Sequence, residues 1–168
     1  MDPLGLTHVG SAVAALFLGP AVFFRRKGDG PHRRLGYAYV GSMLLLNVTA
    51  LSIYDFTGRW GLFHWFAAAS LLTVVGGFVP VFLRRPAGTW LDWHYAFMCW
   101  SYVGLSAAAV SEALTRVPQL WPAVGAVLPE SYFWIVLNVS LTLCMAIGAY
   151  TISFRRMGYT KDRGALPA

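Results

Sequence analysis

Five long apolar runs, separated by short segments that hold nearly all the charge, constrain this chain more than any motif in it. They fall at about residues 4–24, 36–54, 60–83, 90–114 and 131–154. Each has about 20 residues or more, enough to cross a ~30 Å hydrocarbon slab as a helix. A backbone in lipid must satisfy its own polar groups, which leaves helices or closed barrels. Barrel strands alternate polar and apolar residues, and these runs do not. The expected fold is an all-α integral membrane protein with five transmembrane helices. Composition agrees: 12% of residues are charged and 57% hydrophobic, whereas a soluble domain carries about a quarter charged. The 168 residues include no long hydrophilic stretch, so one helical domain over 1–168 is expected. The N-terminus has no basic n-region, and the first run reads as a retained span.

The turns carry a topology signal. Arg25, Arg26, Lys27, Arg33 and Arg34 crowd the first, and Arg84 and Arg85 the third. Arg155, Arg156, Lys161 and Arg163 follow the last run, so eleven of the 13 basic residues share one side. The positive-inside rule puts that side in the cytoplasm of a bacterial inner membrane, with the N-terminus outside and the C-terminus inside. A net charge of +6 then reflects topology and anionic lipid, not nucleic-acid binding. Between the last two runs, Pro118, Pro122 and Pro129 preclude one continuous helix.

Runs one and two resemble runs three and four. Pro20 to Arg26 (PAVFFRR) parallels Pro80 to Arg85 (PVFLRR), and Tyr39-Val40-Gly41 parallels Tyr102-Val103-Gly104. Two helix pairs of parallel topology would make a four-helix bundle, with the fifth helix an addition.

The four histidines follow the same plan. His8 and His64 lie near the outer ends of runs one and three; His32 and His94 open runs two and four. Ionisable groups at membrane depth are costly and usually functional. Two neutral imidazoles at one level can supply both axial ligands of a haem b iron, and bundle interiors commonly house such sites. Ser11, Ala12, Ala67, Ala68 and Gly36, three or four residues on, would let a flat macrocycle approach. Arg33 and Arg34 could meet haem propionates. One or two bis-His haems follow, His8 with His64 and His32 with His94, in a carrier of electrons across or within the membrane.

Blander readings stand beside this one. Small residues at helical spacing also pack membrane helices, and histidines near span ends can rest in the interface or bond a carbonyl. The chain could equally be a cofactor-free accessory subunit of a larger membrane or respiratory complex, or a His-lined path for protons or metal ions. Exchange with a quinone fits the electron-carrier reading. Cys99 and Cys144 lack CxxC spacing and read as reduced, buried hydrophobes. Asp55 with Arg59, and Glu112 with Arg116, read as i,i+4 pairs anchoring helix ends, with proton acceptance beside a quinol an alternative role for Glu112. Thr89 to Asp92 reads as a capping box. No nucleophile–base pair or nucleotide-binding glycine motif is present, so no catalytic residue is assigned.

His32-Arg33-Arg34-Leu35-Gly36, and His94 followed by Phe97-Met98 and Ser101-Tyr102, carry a family resemblance. Residues 8 to about 117 resemble the bacterial membrane proteins catalogued as domain of unknown function 2306, with its HRxxG and H-x-x-aromatic-M-x-x-S-Y patterns. The resemblance implies a multi-helix membrane protein with His8, His32 and His94 at signature positions. It implies no particular activity. Trp100 stands where that family often has Arg, and His64 is not among its signatures.

Overall fold

Aspartate followed within two residues by proline starts the first two helices. Asp2 accepts the Gly5 N–H at 3.0 Å, and Asp29 accepts the His32 N–H at 2.7 Å. Pro3 and Pro31 occupy first-turn positions, where a missing N–H costs nothing. A computed structural model describes residues 2–54 and 58–164, with side chains up to residue 153. The described residues form α1 (Pro3–Phe23), α2 (Gly30–Ser52), α3 (Leu62–Leu83), α4 (Trp90–Thr115), α5 (Val117–Leu120), α6 (Pro122–Gly125) and α7 (Tyr132–Gly164). α1 to α4 and the Tyr132–Ser153 part of α7 are five helices long and apolar enough to cross a membrane.

Two boundaries differ from expectation. α2 begins at Gly30, not near residue 36, because Asp29 and Pro31 nucleate its first turn ahead of the apolar run. His32 therefore lies inside a helix. α7 runs on to Gly164, since no proline interrupts the chain there. The proline-rich stretch breaks as expected, at Trp121, yet Pro118 and Pro122 start short helical turns on either side of it.

Contacts group the chain into two units, Met1–Leu105 and Ser106–Ala168. In the first, hydrogen bonds between distant residues fix the helix directions. His8 near the start of α1 meets Thr49 near the end of α2. His94 near the start of α4 meets Gly77 towards the end of α3. Tyr39 on α2 meets Ser101 at a similar height on α4. The helices thus run alternately up and down, with α2 and α4 parallel. The two arginine-bearing turns are built alike: helices end at Phe23 and Leu83, positive-φ glycines follow at Gly28 and Gly88, and the next helices start at Gly30 and Trp90.

The interior of this unit is small and mixes apolar side chains with a few hydrogen-bonded polar ones, among them Asn47 and Ser101. Ala15, Met43 and Val74 are fully buried, joined by Tyr39, Val40, Leu46 and Leu105. Large apolar side chains also face outward, Phe17, Leu72 and Phe82 being 70–76% exposed. A helix apolar on all sides is soluble only in lipid. In the second unit, the Ser111 and Ser140 hydroxyls meet at 2.7 Å and Tyr132 donates to the Leu114 carbonyl at 2.9 Å. Glu112 and Arg116 form the expected ion pair, whereas Asp55 lies outside the described residues. Cys99 and Cys144 form no disulfide.

Candidate functional site

Each histidine sits in the first two turns of its helix, and its hydrogen bonds assign the roles of its ring nitrogens. His94 Nδ1 donates to the Gly77 carbonyl at 2.8 Å, so its lone pair is on Nε2. Such an arrangement is the usual support of a metal-bound imidazole, whose second nitrogen donates to a backbone carbonyl. Pro80, inside α3, has no N–H and leaves the neighbouring Gly76 carbonyl without its helical donor.

His32 is the third residue of α2. The Val22 carbonyl, near its ring, accepts from Lys27 Nζ at 3.2 Å. His32 Nδ1 is buried and has no hydrogen-bond partner among the described residues. His32 and His94 lie within electrostatic range of each other and of Lys27. Gly77 lets α3 and α4 close up beside them, since a Cβ there would stand 2.7 Å from Met98 Sδ. Arg33 Nε donates to the Gly28 carbonyl at 3.0 Å, and Arg34 is exposed. This end of the unit thus holds two imidazoles beside Lys27, Arg33 and Arg34, with Arg25, Arg26, Arg84 and Arg85 in the adjoining turns.

The opposite end differs. His8 Nδ1 lies 3.2 Å from Thr49 Oγ1. The Thr49 hydroxyl also lies 2.9 Å from the Leu45 and Leu46 carbonyls, either of which can take its single proton. His64 is 4% exposed. As third residue of α3, it reaches back so that Nδ1 accepts the Gly61 N–H at 3.1 Å. That is the task of Glu or Gln in a capping box. The neutral ring then carries its proton on Nε2, which is buried and without a partner among the described residues. Trp60 stacks on His64 with centroids 5.0 Å apart, and Tyr54 lies at 4.6 Å.

Two functional-looking residues acquire structural roles that the sequence conceals. Pro20 leaves the Leu16 carbonyl without its helical donor, and the Tyr102 hydroxyl supplies one at 3.2 Å. Tyr102 lies so close over Gly19 that a Cβ there would come within 2.3 Å of its ring. Tyr39 donates to Ser101, which passes its own proton to the Met98 carbonyl. A proline four residues beyond a carbonyl is the available signal, but it does not name the donor. Around the expected haem faces, Ser11 and Ala67 are buried, Ala12, Ala68 and Gly36 half-buried. Among the described residues no three His, Cys, Asp or Glu gather around one point.

The model of a family described as predicted membrane protein, domain of unknown function 2306, matches residues 5–152. No curated protein and no solved structure matches the chain.

Proposed function

The chain belongs to the family of predicted membrane proteins with domain of unknown function 2306, and from that premise we propose that it binds haem b and carries electrons in the bacterial cytoplasmic membrane. Its iron ligands are His32 and His94. The observation that carries this reading is the buried His32 ring nitrogen, unpartnered among the described residues and within electrostatic range of His94. His94 has its lone pair on the nitrogen turned away from Gly77. Lys27, Arg33 and Arg34 supply positive charge for the propionates. Bound haem contributes the one-electron chemistry; the protein contributes ligation, charge and exclusion of water.

His8 and His64 make a less balanced couple. His8 Nδ1 bonds the Thr49 hydroxyl, while the Gly61 bond leaves His64 Nε2 a proton. A metal ligand needs the lone pair, so one haem at the arginine-rich end is favoured over two. That end faces the cytoplasm on the positive-inside rule, and the electron partner is a quinone or a larger respiratory complex.

Reduced-minus-oxidised spectra of protein purified from haem-replete cells test the reading. Wild type is expected to show b-type bands, and His94→Ala and His32→Ala to lose them. Protein without such bands, or a His94→Ala variant with unchanged bands, refutes it. A second reading, packing against a larger membrane complex, draws on an apolar groove of about 310 Å³ in the second unit, lined by residues including Val110, Ile135 and Val139. Stable co-purification with other membrane subunits and no bound pigment favours that alternative.

A further inference from the structure

His64 keeps a donor that the fold does not use. Capping α3 requires only an acceptor, which Nδ1 provides to the Gly61 N–H. Glutamate or glutamine would serve as well. The imidazole adds an N–H on Nε2, placed where water does not reach and where no described residue accepts it. Buried donors are rarely left unsatisfied, because the loss of solvation is not returned.

The surroundings define what could accept that proton. Trp60 stacks on the ring at 29°, and Tyr54 lies against it at 34°. Both aromatic side chains reach the surface, at 47% and 42% exposure, and both lie outside the helices, one after α2 and one before α3. The site is at the first turn of a helix that can span a membrane, with Phe63 and Trp65 also exposed beside it. It is therefore at the depth where an amphiphile keeps its polar head and its apolar body in different media. A metal ion is the wrong occupant, since Nδ1 is committed to Gly61 and Nε2 carries hydrogen. The matching ligand is neutral, flat, lipid-soluble and bears an acceptor oxygen.

We propose that His64 is the hydrogen-bond donor of a quinone-head site, with Trp60 and Tyr54 stacked on its ring and holding it in place. A quinone carbonyl accepts the Nε2–H while the quinone ring lies along the exposed outer surface of Trp60 and Tyr54 and its isoprenoid tail stays in lipid. This adds a quinone site to the electron-carrier reading, at the end of the unit opposite His32 and His94, and binding itself does not require haem.

The test uses the full chain in lipid nanodiscs, titrated with decylubiquinone by calorimetry. Wild type is expected to bind saturably. His64→Gln keeps both the cap acceptor and an N–H donor and should bind within about threefold of wild type; His64→Glu keeps the cap alone and should bind about tenfold more weakly or worse. Trp60→Leu leaves the cap untouched and should weaken binding about fivefold. No saturable binding by wild type overturns the proposal. So does His64→Glu binding like wild type, or, should that variant fail to fold, Trp60→Leu binding like wild type. His94→Ala should lose b-type bands yet bind decylubiquinone normally, so the haem and quinone proposals fail separately.

Discussion

Tyr102 shows how a single side chain can repair a backbone defect inside a membrane. Its hydroxyl occupies the Leu16 carbonyl that Pro20 abandons, and its ring covers Gly19. An unpaired carbonyl has no water to turn to at that depth. Tyr102→Phe should lower stability by about 1–2 kcal/mol, read as a fall in the thermal midpoint in detergent. Gly19→Ala should cost about 1–3 kcal/mol by overpacking, because the ring stands where the methyl must go. In a Tyr102→Leu background the Gly19→Ala penalty should shrink, a coupling that a double-mutant cycle measures. Equal penalties in both backgrounds would contradict the close approach. None of this is visible in the Tyr-Val-Gly motif itself, whose two copies have different partners: Tyr39 bonds Ser101, and Tyr102 bonds a carbonyl.

Among the elements, α2 depends on its start. Asp29 accepts the His32 N–H, fixing the turn from which the His32 ring projects. Asp29→Ala should cost about 1 kcal/mol, and Asp29→Asn should recover most of it, since either side-chain oxygen caps. If His32 binds haem, Asp29→Ala should also weaken retention of the pigment during purification, with Asn again restoring it. The span boundaries were legible to within a few residues wherever hydropathy alone sets them, as for α1, α3 and α4. They were not legible for α2, where the cap-and-proline signal lies in a polar turn ahead of the apolar run. His64 as a reverse cap escaped notice for a related reason: glutamate or glutamine is the usual residue in that role.

For the whole molecule, charge placement predicts orientation. With the cytoplasm at the arginine-rich end, Thr89→Cys in a chain lacking Cys99 and Cys144 should react with an impermeant maleimide only after cells are permeabilised, and Arg59→Cys without permeabilisation. The reverse pattern would invert the topology and move the proposed haem to the other face. The core between the two ends of the first unit buries Met43 and Val74 together with Asn47 and the hydrogen-bonded pair Tyr39 and Ser101.

The sequence by itself determined the class of the protein, the number of helices long and apolar enough to span a membrane and the clustering of charge in the turns, because hydrocarbon solubility is a sum over neighbouring residues. It also marked the turns, where Pro20 and Pro80 and Gly28 and Gly88 recur in the same register. Only the tertiary structure decided what each histidine can do. An imidazole is donor at one nitrogen and acceptor at the other, and the choice is made by its partner. For His94 that partner is a carbonyl 17 residues away, and for His8 a hydroxyl 41 residues away. For His64 it is an amide only three residues away, yet helix geometry is what brings that amide within reach.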